Sequence, residues 1–128
     1  MNRTILLTGT LFGLLAVVFG AFGAHGLKDL IDADAIQTFE TGVRYQMYHA
    51  LFLLVLGSMP QLPEKHKKLV YYFVVSGILL FSFSIYLLAT NSLTAFDFKT
   101  IGFVTPIGGL LLILGWGVLG HRSFKYYV

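Results

Sequence analysis

LVYYFVVSGILLFSFSIYLLA, residues 69–89, contains no charged side chain and no proline. A helix needs about 20 mostly apolar residues to cross a hydrocarbon core about 30 Å thick, so this run decides the fold class. It lies between the polar cluster Glu64–Lys68 and Asn91. Three similar runs accompany it: Thr4 to Gly26 between Arg3 and Lys28, Val43 to Met59 closed by Pro60, and Ile101 to Gly120 between Lys99 and Arg122. Unpaired backbone groups are too costly in lipid, and these runs are too long for barrel strands, so helices are expected. The predicted fold is all-α, one domain over residues 1–128. It is an integral membrane bundle of four transmembrane helices at about 4–26, 43–59, 69–89 and 101–120, with an extracytoplasmic amphipathic segment between the first two.

The composition agrees. Hydrophobic residues make up 56% of the 128, charged residues 12%, and the mean hydropathy is +0.78. A soluble globular domain carries about 25% charged residues, so a soluble enzyme is nearly excluded, as are a disordered tail and a nucleic-acid-binding domain. The net charge of +3, from 9 Lys+Arg against 6 Asp+Glu, is too sparse for a stripe that tracks phosphates. With no cysteine there is no disulfide, thiolate metal site or Cys nucleophile, and the redox compartment stays unread. Arg3 with Ala21, Phe22 and Gly23 could be read as a signal peptide, but the apolar stretch exceeds the ~7–15 residues of a signal core. It is taken as a span.

Lys/Arg bias in the short flanks sets orientation. With the N-terminus inside, the inner side holds Arg3, Lys65, Lys67, Lys68, Arg122 and Lys125, and the outer side only Lys28, Arg44 and Lys99. Both termini are therefore expected in the cytoplasm, with Tyr71, Tyr72 and Trp116 near the inner interface. Between the first two spans, Asp34 with Gln37 three residues on has the capping-box spacing. Ile36, Phe39 and Val43 follow at helical intervals. One continuous helix from Asp34 to Met59 is favoured over a surface segment; at 1.5 Å per residue it is about 39 Å long, so its first turns protrude.

Two features suggest helix packing. The first span carries Gly9, Gly13, Gly20, Gly23 and Gly26, and the fourth carries Gly108 and Gly109 among further glycines. Small residues at such spacing let membrane helices approach closely; a glycine-lined ligand path is the alternative. Thr105-Pro106 should kink or break the fourth span near its outer end. Ser76, Ser82 and Ser84 can bond back to their own helix.

The candidate polar or ligand-binding cluster is His25, Arg44, Tyr45, Gln46 and His49. Glu40 and Arg44 have the favoured i,i+4 ion-pair order, although an interfacial Arg also snorkels to headgroups. Tyr45, Gln46 and His49 are expected to share a face. His25 and His49 are expected at similar depth, so they could hold a haem or metal or tie the first two helices together through hydrogen bonds. No third ligand of obvious spacing supports the metal, and no metal site or cofactor is assigned. Nucleophile elbow, paired intramembrane carboxylates, zincin motif and phosphate loop are all missing from the sequence.

Gly20 to Leu27 (GAFGAHGL), Phe39 to Ala50 (FETGVRYQMYHA), and Thr105 to Gly109 with Leu114, Gly115 and Trp116 together resemble the small four-span membrane proteins catalogued as domain of unknown function 423. That family includes bacterial inner-membrane proteins and the eukaryotic transmembrane protein 256 group. The resemblance covers essentially the whole chain. It implies four helices and a bacterial inner membrane, and it carries no established activity. The motif residues here are Gly23, His25, Gly26, Tyr45, Gln46, His49 and Pro106, their roles open.

The expected function is non-enzymatic: an envelope or membrane-integrity protein acting through membrane lipids, a protein partner or a homo-oligomer. An oligomeric transporter or channel for a small solute or ion is the alternative, and a His-ligated haem, metal or quinone-handling protein the second. The sharpest expectation is that His25 touches the Tyr45/Gln46/His49 face.

Overall fold

The computed structural model describes residues 1–127. Four helices follow in order: α1 (Asn2–His25), α2 (Ala33–Gly57), α3 (Glu64–Ala89) and α4 (Val104–Tyr126). Short 3-10 turns at Asn91–Leu93 and Phe98–Ile101 bridge α3 and α4. No strand occurs among the described residues. Proline accounts for the punctuation. Pro60 and Pro63 fall in the α2–α3 turn, and Pro106 is the third residue of α4. In that first turn a missing N–H forfeits no intrahelical bond. Pro106 therefore helps start α4; of the kink or break expected in the fourth span, the chain has a break, between the 3-10 turn ending at Ile101 and α4 beginning at Val104.

The α1–α2 hairpin is tight. Gly26 N–H and Leu27 N–H both donate to the Phe22 carbonyl, and Leu27 and Ile31 turn inward to pack with Phe39 and Ala89. Asp32, not Asp34, caps α2: its Oδ1 accepts from Ala35 N–H at 2.8 Å. The expected continuous helix is present, from Ala33 to Gly57. Its amphipathic start is thus the first turns of α2, closing one end of the bundle.

The helices pack in sequence order, α1 on α2, α2 on α3 and α3 on α4, while α1 and α4 share no extensive face. Burial follows this arrangement. The central pair carries most of the core: Phe39, Gln46, Ala50 and Leu53 on α2, and Val70, Val74, Ile78 and Ser82 on α3. By contrast α1 buries only Ile5, Gly9, Phe12, Ala16 and Gly23, one stripe at helical spacing, and α4 only Gly108, Leu112 and Gly115. Their remaining faces expose Leu7, Leu11, Leu14, Val17, Leu110 and Ile113. A contiguous apolar surface of this size needs a nonaqueous neighbour.

Three helices are long and apolar enough to cross a membrane: α1, α3, and α4 with the preceding 3-10 turn, at mean hydropathies of 2.3, 2.1 and 1.9. Four had been expected. Though equally long, α2 is more polar, with Asp34, Glu40 and Arg44 in its first half. Two neighbouring helices cover much of its surface, so its composition answers to protein contacts as well as to lipid.

Candidate functional site

The polar residues of α2 divide between two faces. Gln46 is fully buried, and both ends of its amide are used. Its Nε2 donates to the Phe12 carbonyl of α1 at 2.8 Å, and its Oε1 accepts from the Tyr86 hydroxyl of α3 at 2.6 Å. One side chain thereby joins three helices. One turn earlier, Ser82 of α3 donates to the Gly42 carbonyl at 2.9 Å. Gly42 itself faces Tyr86 and Ile85 with no room for a Cβ.

Tyr45 and His49 look the other way, towards α4. His49 Nδ1 lies 2.6 Å from the Tyr45 carbonyl and His49 Nε2 is 3.0 Å from Trp116 Nε1. A carbonyl only accepts and an indole N–H only donates. The imidazole is therefore neutral, with its proton on Nδ1. Phe52 packs edge-on against Trp116, and Phe81 lies tilted against Tyr45. The single face expected for Tyr45, Gln46 and His49 is thus split, because adjacent helical positions diverge by about 100°. Trp116 thus reaches back from α4 to His49.

His25 stays outside this arrangement. It is exposed at the end of α1, and the side-chain hydrogen bonds found among the described residues leave it out. Gly23 lies against Phe39, which sets His25 roughly level with Gln37, twelve residues before His49. At 1.5 Å per residue, the two imidazoles differ in depth by about 18 Å. The similar depth expected for the two does not hold, because His49 lies more than four turns into α2, whose first turn is the part that meets the end of α1. His25 accordingly does not touch the Tyr45/Gln46/His49 face. Among the described residues no three His, Cys, Asp or Glu side chains converge as metal ligands. Arg44 bonds Thr41 Oγ1 at 3.1 Å rather than Glu40. The one ion pair among the described residues joins the Met1 amine to Glu64 at 3.0 Å.

The glycines differ sharply in what surrounds them. A Cβ on Gly9 would meet the Ala50 carbonyl and Leu53, and one on Gly23 would meet the Phe39 ring. Gly13 and Gly20 have ordinary contact distances to Ala50 and Val43, and Gly26 faces its own Phe22. In α4, Gly108 lies directly on the Leu80–Phe81 backbone of α3, whereas Gly109 has ordinary clearance from Phe81 and Gly117 has open space. Sequence reading passed over Gly77, which receives Leu112, and the partner roles of Tyr86 and Trp116. A Tyr or Trp inside an apolar run was the available signal, since each carries a polar atom that needs a partner.

Apolar outward faces around a hydrogen-bonded interior define a polytopic α-helical membrane protein. The chain belongs to the family described as protein of unknown function (DUF423), whose model matches residues 19–109. It is 36% identical over 124 residues to a UPF0382 membrane protein of Staphylococcus aureus (strain bovine RF122 / ET3-1), covering 97% of this chain and 98% of that one. A UPF0382 membrane protein of Haemophilus influenzae is 37% identical over 125 residues, 98% of this chain and 97% of its own. UPF0382 membrane protein YwdK of Bacillus subtilis is 34% identical over 126 residues, with coverage of 97% and 98%. No solved structure matches the chain.

Proposed function

We propose that this is a non-enzymatic, multi-pass protein of the bacterial inner membrane that acts through bound lipids, a protein partner or a second copy of itself. In this reading the chain is one transmembrane domain, all four helices cross, both termini face the cytoplasm, and the start of α2 stands at the extracytoplasmic surface. The carrying observation is that its interior polar groups are spent on one another. Gln46, Tyr86 and the Phe12 carbonyl close one cluster, and Tyr45, His49 and Trp116 close the other. Among the described residues only Arg122 Nε is a buried side-chain polar atom without a partner. A group already bonded on both sides is poorly placed to coordinate a cofactor or move a proton. Here Gln46 and His49 act as clasps between helices.

The antiparallel packing of α2 between α1 and α3 supports four crossings. Cytoplasmic termini are supported by six Lys/Arg at that end of the bundle against three at the other. The test is reconstitution of the purified protein in liposomes. Solute and ion fluxes equal to those of empty vesicles, with no turnover of added metabolites, are expected; a saturable flux or a converted substrate overturns the reading.

A further inference from the structure

At the end of the bundle that carries both termini, a lateral groove of about 330 Å³ runs along α4 beside the start of α3. Leu69, Ile113, Leu114 and Gly117 give it apolar walls, and Arg122 also lines it. Gly117 leaves room because a Cβ there would meet nothing within 4 Å. Ile113 is 68% exposed and Leu69 42%, so the groove opens outward rather than into the core.

Arg122 is the anomaly. Its Nε is buried and, among the described residues, has no acceptor. The side chain as a whole is only half-buried, so its guanidinium can still reach an acceptor in the groove, and an enclosed donor without one is costly. Among the described residues, the charges around it do not supply an acceptor either. His66 is held below its ordinary pKa first by burial and then by repulsion from Arg122, Lys65, Lys125 and His121, so Arg122 shares this end of the bundle with other basic groups. Glu64 is the sole Asp or Glu at this end, and its carboxylate is engaged by the Met1 amine.

We propose that this groove binds an anionic phospholipid, with the headgroup phosphate on Arg122 and one acyl chain along Gly117. Length supports a lipid. Ile113 to Arg122 covers about 14 Å of helix, close to the ~15 Å depth of one leaflet. Charge supports an anionic one: a basic pocket at a helix end is the usual cradle for such headgroups. The site deepens the reading of a protein that works through lipids, and it rests on that reading. It requires no particular orientation.

The test counts lipid retained by the full-length protein in neutral detergent, by native mass spectrometry, during titration with phosphatidylglycerol or phosphatidylcholine. One phosphatidylglycerol is expected to be retained in preference to phosphatidylcholine. Arg122→Gln should weaken it about fivefold, the scale of one cation near an anionic surface, and Arg122→Lys should keep the preference. Gly117→Leu should weaken both lipids with helicity unchanged, and Arg3→Gln, on α1, should leave binding as it was. Equal retention of the two lipids overturns the proposal. So does unchanged binding in Arg122→Gln, an equal loss in Arg3→Gln, or displacement by inorganic phosphate at the lipid's own concentration. Failure here leaves the liposome result standing, whereas turnover in liposomes would overturn the functional reading and leave a measured lipid site intact.

Discussion

Trp116 Nε1 donates to His49 Nε2 across 3.0 Å, and this contact links α4 to α2, two helices that are not neighbours in the chain. The bond fixes a tautomer as well as a distance, because His49 Nδ1 is already committed to the Tyr45 carbonyl. Nitrogen NMR of labelled protein should therefore report a neutral His49 protonated at Nδ1. Trp116→Phe keeps a ring beside Phe52 but removes the donor. It should destabilise the bundle by about 0.6 kcal/mol, the average for a hydrogen bond between membrane helices. An Nε2-protonated ring in the wild type would contradict the assignment.

Gln46 and Tyr86 should behave as a unit. Tyr86→Phe leaves the Gln46 carbonyl oxygen without its partner in a fully buried position. A loss of about 1–3 kcal/mol is expected for such an orphan. Gln46→Leu combined with Tyr86→Phe should cost less than the sum of the single changes, with a coupling of about 0.5–3 kcal/mol. Unfolding in SDS measures the cycle, and strict additivity would rule out the clasp.

Gly108 and Gly117 form a contrasting pair on α4. An added Cβ at Gly108 runs into the Leu80–Phe81 backbone, which has no flexible side chain to yield. Gly108→Ala must push α3 and α4 apart, and a loss of about 1–3 kcal/mol is expected from overpacking. Gly117→Ala meets nothing and should stabilise by up to about 1 kcal/mol through helix propensity. Similar effects at the two sites would show that the close α3–α4 approach is absent.

Glu64 should titrate below the ordinary range for glutamate. The Met1 ammonium, hydrogen-bonded to its carboxylate, is the largest cause, with Lys68 and Lys67 adding to it. A carboxyl depressed by folding stabilises above its unfolded pKa, and that contribution is lost as pH falls through the lower folded value. Carbon NMR of Glu64 follows the midpoint directly. Acetylation of the N-terminal amine should move it back up, and an unchanged midpoint would place the cause elsewhere.

The absence of cysteine makes topology simple to probe. Single cysteines replacing Asp29 or Phe96 should react with an impermeant maleimide added outside intact cells. Cysteines replacing Gln61 or Tyr127 should react only after permeabilisation. If Asp29 and Gln61 report the same side, α2 does not cross.

The sequence by itself determined the class of protein and where its helices fall. Residues 69–89 have no alternative to a buried or lipid-facing helix, and Pro60 marks where the second run ends. Gln46 and His49 also stood out in sequence, as polar groups within a largely apolar run. Their partners did not. Which face of α2 meets which helix depends on the rotation of each helix about its axis and on lateral order in the bundle, and no local pattern records either. Tyr45 and His49 are four positions apart and Tyr45 and Gln46 are adjacent, yet the first pair looks towards α4 and Gln46 towards α1 and α3. Tertiary structure alone decided that Tyr86 and Trp116 complete the clasps, that His25 takes no part in them, and that Arg122 Nε has no acceptor among the described residues. The physical reason is that a buried hydrogen bond depends on two surfaces meeting at one depth and one angle, and one helix read alone supplies only one of them.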